Sequence, residues 1–292
     1  MFDYRYHALS LAAVLLALAV GVLIGVAIGD SNLVSSAKNG VVHDLRSEVS
    51  GANHQAETLR TQLSSAETAG TDLYQIAVHG LLNGRRVGLV FLGNPSDRIE
   101  GLVRDAVTQA GGELTMVAAV REPLDLPGLA HEAAGTPYAA LATERGLVHH
   151  FGIRIARQIV GSDHKLLGQV QARLLTSFDG QPEGIAALVI VRDEPEGMSS
   201  EQAQVAGEFE ASLVEGAGSG GAALTGVELA STEPSQVSWY KSHDISSVDD
   251  LETPAGRAAL VFTLDGAHGA YGTQGTADSG LLPGLAGGAG AP

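Results

Sequence analysis

The chain has no cysteine, which excludes disulfide frameworks, thiolate metal sites, CxxC redox chemistry and cysteine nucleophiles. Basic residues are scarce: 17 against 33 acidic, for a formal net charge of -16, and only Lys38, Lys165 and Lys241 are lysines. Without a cationic stripe to meet phosphates, nucleic acid is not an expected partner. Aromatic residues make up 4% (6 Phe, 6 Tyr, 1 Trp). That is too few for the girdles of a membrane barrel, which also needs repeated alternating strands of about ten residues. What is plentiful is glycine, 38 residues, and apolar side chains, 45% of the 292. The length allows about two structural units and a sizeable core.

Charge is also missing from Ala8 to Ile28, where Ser10 is the sole hydroxyl. A bilayer core needs about 20 such residues, whereas the apolar region of a cleaved signal peptide runs about 7–15 behind a clearly basic start. Here the run is longer and the start is nearly neutral, with Arg5 and the amino group offset by Asp3. Ala27-Ile28-Gly29 offers a small-residue cleavage site, so removal stays as the alternative to an uncleaved signal anchor. Arg5 before the span and Asp30 after it favour a cytoplasmic amino terminus and an extracytoplasmic remainder. Gly21, Gly25 and Gly29 stand four apart, one step after Ala17. In lipid that spacing lets two helix backbones approach closely; the plainer reading is that glycine and alanine are simply common here.

After the span, Leu45, Val49, Ala52, Ala56, Leu59, Leu63, Ala66, Gly70, Leu73 and Ala77 alternate steps of three and four. This is a coiled-coil seam of about five heptads, reaching roughly 75 Å if residues 31–80 are helical throughout. Alanines and Gly70 make the seam weak on its own, and tethering two chains at the membrane would offset that weakness. A parallel dimeric stalk is expected; a single amphipathic helix folded back on the distal domain is the alternative.

Beyond residue 80 short apolar runs alternate with helical patterns. Val87–Leu92 reads as a buried strand, Gly93-Asn94-Pro95 breaks it, and Ser96 or Asp97 caps a helix carrying Ile99, Leu102, Val103 and Val107. Leu114–Val120 is the second strand, and strand–helix–strand order implies a right-handed crossover and a parallel sheet. Residues 128–176 look mostly helical. Ile185–Val191 is a strand, Ser199 or Ser200 opens a helix through Val214, Ala222–Leu229 is a fourth strand and Arg257–Leu264 a fifth. Past Tyr271 the chain is Gly, Ala, Ser and Pro with little else, a tail too poor in apolar bulk to fold.

Chemistry-bearing patterns are few. Gly216-Ala-Gly218-Ser-Gly-Gly221 spells GxGxxG, but a helix precedes it and a strand follows, the reverse of a dinucleotide site; a helix end and loop is expected. The turn Gly93–Asp97 has the strand-to-helix context whose free amides hold anions, though an ordinary capped turn explains it as well. His149, His150 and His164 form the densest histidine group and are the weak metal candidates. Adjacent histidines on a helix diverge by about 100°, so they make no ready chelate. His131-Glu132 lacks the second histidine of a zincin motif, and His243-Asp244 and Asp265 with His268 stand isolated. Asp193, Glu194 and Glu196 share one turn, where solvation explains them better than acid/base work. With methionine only at 1, 116 and 198, no soft copper site forms from sequence neighbours. No catalytic residue, no cofactor and no enzymatic activity are expected.

The opening stretch, Tyr6-His7-Ala8-Leu9-Ser10-Leu11-Ala12-Ala13-Val14 continuing through Leu18 to Gly25, closely resembles the start of the MctB family of actinobacteria. The likeness continues in layout through the stalk, the α/β region and Gly269-Ala270-Tyr271-Gly272. Members are described as copper transport proteins, proposed as outer-membrane channels; a related member, SteB, is linked to cell division and control of a peptidoglycan hydrolase. The resemblance implies an envelope protein with a role in copper homeostasis, copper itself entering only by that implication, or a division protein of the second kind. The expected fold is α/β: one transmembrane helix (1–29), a coiled-coil stalk (30–80), a Rossmann-like parallel-sheet head (81–272) and a disordered tail (273–292). Expected partners are the lipid bilayer, another envelope protein, and a second copy meeting through Gly21, Gly25, Gly29, Leu45, Val49, Leu59, Leu63 and Leu73.

Overall fold

A computed structural model describes residues 4–29, 31–193 and 197–284, with side chains at 6–27, 29, 45–193 and 197–284. The chain divides into two compact units, Met1–Ala66 and Glu67–Pro292.

In the first unit, α1 (Tyr4–Ile28) is apolar all round. Its Tyr6–Ala27 stretch is long and apolar enough to cross a membrane, and a helix without a polar face has no soluble side to present. α2 (Ser31–Val78, 48 residues) begins in this unit. Its small polar residues do not interrupt it. Thr58 and Thr61 donate their hydroxyls to carbonyls one turn back, those of His54 and Glu57, at 2.8 and 3.0 Å, so they do not compete for the helix's own amides.

The second unit takes in the end of α2, where Tyr74 and Val78 are buried, and then β1 (Arg86–Leu92), α3 (Asp97–Gln109), β2 (Glu113–Val120), α4 (Leu126–Glu132), α5 (Leu147–Val160), α6 (Lys165–Leu174), β3 (Leu175–Gly180), β4 (Ile185–Arg192), α7 (Ser200–Ser219), β5 (Ala223–Val227), α8 (Val237–Ser242), β6 (Ser246–Val248), α9 (Pro254–Asp265) and β7 (Ala270–Tyr271). The strands lie in the order β3-β2-β1-β4-β5-β6-β7. All neighbours are parallel except β2 and β3.

The central strands are continuous apolar runs because both faces are covered. Val90, Leu92, Met116, Ala118, Leu188 and Ile190 face one core with Phe151, Ile155, Phe209 and Leu213 of α5 and α7. Their neighbours Val87, Leu89, Phe91, Ala119, Val189 and Val191 face the other, with α3, α9, Tyr74 and Val78. Chain order reverses between β1 and β4, which makes a topological switch point. In sheets of this class the crevice beyond the strands' carboxyl ends lies there.

Several expectations need correction. Arg257–Leu264 lies in helix α9, not in a strand: Thr253 caps it by accepting from the Gly256 amide at 2.8 Å, Pro254 occupies its first turn, and Gly266 closes it in the left-handed region at φ 118°. A short run such as Ala258–Val261 has no periodicity that separates helix from strand. The region expected to be helical to 176 turns into β3 at Leu175, an antiparallel edge strand. The expected tail is held in its described part, to residue 284. The Thr273 and Gln274 amides donate to Asp249 at 2.7 and 3.1 Å, and Lys241 pairs with Asp278 at 2.7 Å. Charged hydrogen bonds hold this segment where apolar bulk is lacking. Residues 285–292 lie outside the described chain.

Candidate functional site: the carboxyl edge of the sheet

The capped turns fall where helix-start signals place them. Ser96 caps α3, and Ser199 caps α7 reciprocally with Gln202, at 3.2 and 3.0 Å. Between these two helix starts, the strand ends project a set of polar side chains over the switch point.

Arg192, the last residue of β4, organises the set. Its backbone amide donates to the Tyr240 hydroxyl at 2.9 Å. Its Nε donates to Glu210 Oε2 at 2.8 Å and its Nη1 to Gln236 Oε1. The guanidinium carbon lies 5.0 Å from the centre of the Trp239 ring, within cation–π range. Glu210, on α7, is wholly buried, and so is Tyr240 on α8. Tyr240 reaches Arg192 because β5 carries glycine beneath its ring: a Cβ at Gly226 would stand 2.4 Å from Tyr240 Cδ1. Burial pushes the Tyr240 phenol well above its ordinary value, so it stays a neutral donor and acceptor.

A second tier follows beyond β5 and β6. Glu228 accepts from the Ser235 hydroxyl and the Gln236 amide, both at 2.6 Å, and burial raises its pKa. Asp249 accepts the two amides of the 273–274 segment. Asp250 accepts from Thr253 at 3.1 Å, and burial raises its pKa as well.

Glu122, just past β2, completes the edge. Neither of its buried carboxylate oxygens has a hydrogen-bond donor, nor has Glu210 Oε1. Burial is the first cause that pushes the Glu122 carboxyl up to about 8, followed by the charge and close approach of the Glu210 carboxyl. Gly93, at φ 106°, lets the turn after β1 pass close by: a Cβ there would stand 3.6 Å from Glu122 Oε2.

A doubly wound protein that binds a nucleotide keeps its switch point open and lines it with glycine amides. Here Arg192, Glu210, Gln236 and Tyr240 occupy it, and the surrounding carboxylates would repel phosphate. The GxGxxG letters serve helix packing: Gly216 and Gly218 lie inside α7, and a Cβ at Gly216 would stand 2.7 Å from Ile153 Cα of α5.

The histidine candidates do not converge. His149 Nε2 lies 3.4 Å from Glu215 Oε2, and the His149 and His150 ring centres are 5.8 Å apart, edge to face. His164 Nδ1 meets the Gln158 carbonyl at 2.6 Å. Among the described residues no three His, Asp or Glu side chains are placed to hold a metal ion. Met116 is in the core. His243 stacks on Trp239 with centres 4.1 Å apart, and Asp265 pairs with Arg85 at 2.8 Å. Asp193 is exposed beside Asn94; Glu194 and Glu196 lie outside the described residues.

The dimerisation candidates are open to solvent in the single chain. No atom within 4 Å would meet a Cβ at Gly21 or Gly25, while one at Gly29 would meet the Gly25 carbonyl at 3.0 Å. Leu45, Val49, Leu59, Leu63 and Leu73 are each more than half exposed.

Sequence reading missed Glu122, Arg192, Glu210, Gln236 and Tyr240. The one available signal was Glu122 and Arg192, charged residues at the ends of otherwise apolar runs; Glu210 within α7 and Gln236 and Tyr240 at α8 carried none.

Fold and site together define a doubly wound α/β protein with its switch point sealed by side chains, behind an apolar helix long enough to cross a membrane. The chain belongs to the MctB family: residues 1–282 match the family described as "Copper transport outer membrane protein, MctB". It is 33% identical over 122 residues to proteins named "Copper transporter MctB" from Mycobacterium bovis and Mycobacterium tuberculosis, a region covering 42% of this chain and 38% of each relative. The match thus spans well under half the length of those relatives.

Proposed function

We propose that this protein is a single-pass envelope protein with a cytoplasmic amino terminus, an α2 stalk that pairs with a second copy, and an extracytoplasmic head that binds another envelope protein. It contributes to copper homeostasis without catalysing a reaction. The observation that carries this reading is the run of exposed apolar seam residues on α2: Leu59 is 64% and Leu63 61% exposed, a surface that water disfavours and that heptad spacing fits to an identical helix. Family membership supplies the copper process, and the relatives' name supports it. Soft copper ligands do not gather at any described point, so copper is read as the process served and not as a resident ligand. An open sheet with both faces covered supports a partner-binding head over a pore wall.

A second reading, control of a peptidoglycan hydrolase during division, is favoured by a groove of about 440 Å³ on the head beside Pro123, Leu124 and Val205, a size that suits a partner's side chains. A deletion strain, complemented with the native chain or with Leu59→Asp/Leu63→Asp, separates the readings. Copper hypersensitivity of the deletion strain, relieved only by the native chain, is expected. Normal copper tolerance with misplaced septa would overturn the copper role in favour of division.

A further inference from the structure

Three buried carboxylate oxygens at the switch point lack a hydrogen-bond donor: Glu122 Oε1 and Oε2 and Glu210 Oε1. Leaving an ionised carboxylate buried without a donor is among the most unfavourable arrangements in a folded chain. Arg192 offsets Glu210 on its other oxygen, which still leaves both Glu122 oxygens without a donor. A metal ion is a poor remedy, since no three ligands converge there among the described residues and the guanidinium would repel it. A proton is the smallest ion that satisfies both carboxyls, and carboxyls in mutual contact share one readily.

The two groups sit on elements that also bound a groove. Glu122 begins the segment carrying Pro123, Leu124, Leu126 and Pro127; Glu210 lies one to two turns along α7 from Gln202 and Val205, and these residues line the same space.

We propose that Glu122 and Glu210 hold one proton between them, and that this shared proton latches segment 121–127 onto α7 and so keeps that wall of the groove in place. The charged and titratable groups facing Glu122 are Glu210 from α7 and Arg192 and Asp193 from the end of β4; Tyr240 of α8 faces Glu210 through Arg192. The turn after β1 contributes only Gly93.

The Glu122 carboxyl is raised from 4.5 to about 8, so the folded chain keeps a proton that the unfolded chain loses. The latch is therefore at full strength below about pH 4.5, weakens as pH rises, and is lost through about pH 8. Above that, two like charges face each other across the segment and α7, and the segment loosens from the groove's edge.

The test uses the full chain in detergent micelles, titrated about two pH units either side of the midpoint. Infrared difference spectra report the protonated carboxyl, and amide exchange, corrected for its intrinsic pH dependence, reports protection of residues 121–127. In the native chain the carboxyl band should vanish and protection should fall at least about tenfold with one shared midpoint. In Glu122→Gln, whose amide donates to Glu210 at any pH, the band should be absent and protection constant. A native chain without the band on the acid side overturns the shared proton, and a band that titrates while protection stays constant overturns the latch. Calcium restoring alkaline protection in the native chain would replace the proton with a cation. The native titration decides the question even if Glu122→Gln fails to fold.

Discussion

The stalk and the sheet edge each place their unusual groups on the wrong side of water, in opposite senses. On α2, Leu45, Leu59 and Leu63 stand exposed among polar neighbours. At the switch point, Glu210 is wholly buried and Arg192 is 15% exposed. Each arrangement requires a remedy, and the remedies differ. An exposed apolar seam is relieved by another apolar surface laid against it, whereas a buried ion is relieved by partners the fold itself brings. The single chain leaves the apolar face of α2 uncovered; the head satisfies most of its buried polar groups, with carboxylate oxygens of Glu122, Glu210 and Asp250 among the exceptions.

The largest expected effect breaks the stalk. Replacing Leu59 and Leu63 with Asp removes four leucines from the proposed dimer seam, at about 1.5–3 kcal/mol each, so about 6 kcal/mol or more of association is lost before repulsion is added. A fragment lacking α1 should fall from dimer to monomer by light scattering, with the head's circular dichroism unchanged. A variant that keeps the parent's mass would show that the contact lies outside the seam.

Within the head, Arg192→Met strands Glu210 in the interior. Breaking a buried pair this way costs about 3–5 kcal/mol, measurable by urea unfolding. Replacing both partners, Arg192→Met with Glu210→Leu, should recover most of that loss. If the single and double variants were equally unstable, lost packing and not the orphaned charge would explain the effect.

A smaller loss, about 1–3 kcal/mol, is expected for Gly226→Ala. Its methyl would enter the Tyr240 ring, and Tyr240 is held by the Arg192 amide. Thermal unfolding should show the loss, and Gly226→Ala combined with Tyr240→Leu should relieve part of it.

The smallest effect sharpens the contrast from the other side. Arg145 and Glu201 pair on the surface at 58% and 67% exposure. Arg145→Ala should change stability by less than about 1 kcal/mol, against the several expected at Arg192. Urea midpoints for the two variants, measured side by side, make the comparison directly.

Legibility followed how local each signal was. The membrane-length helix and the long helix α2 were readable because composition and period act within one helix. The strands of the sheet's centre were readable because burial on both faces leaves a run such as Val87–Leu92 with no polar residue. α9 was misread because Ala258–Val261 is equally apolar in both states, and the deciding groups were its cap at Thr253 and its stop at Gly266. β3 and β7 were missed because an edge strand needs neither a long run nor full burial: β3 exposes Thr176 and Ser177. The site was almost illegible. Glu210 and Tyr240 lie 18 and 48 residues from the Arg192 they bond, Glu122 lies far before it, and nothing in their spacing marks them as neighbours.

Sequence by itself determined the one span able to cross a membrane, the apolar seam of α2, the lack of thiol chemistry and the alternation that makes a parallel sheet, since each depends on residue type and short-range period. Tertiary structure alone decided that GxGxxG is a helix contact, that Asp249 holds the segment after β7, and that two glutamates meet beside one arginine. Those outcomes depend on strand order, because pairing β4 beside β1 brings the ends of distant strands to one edge, and only there does burial turn ordinary carboxylates into groups that need a proton or a cation.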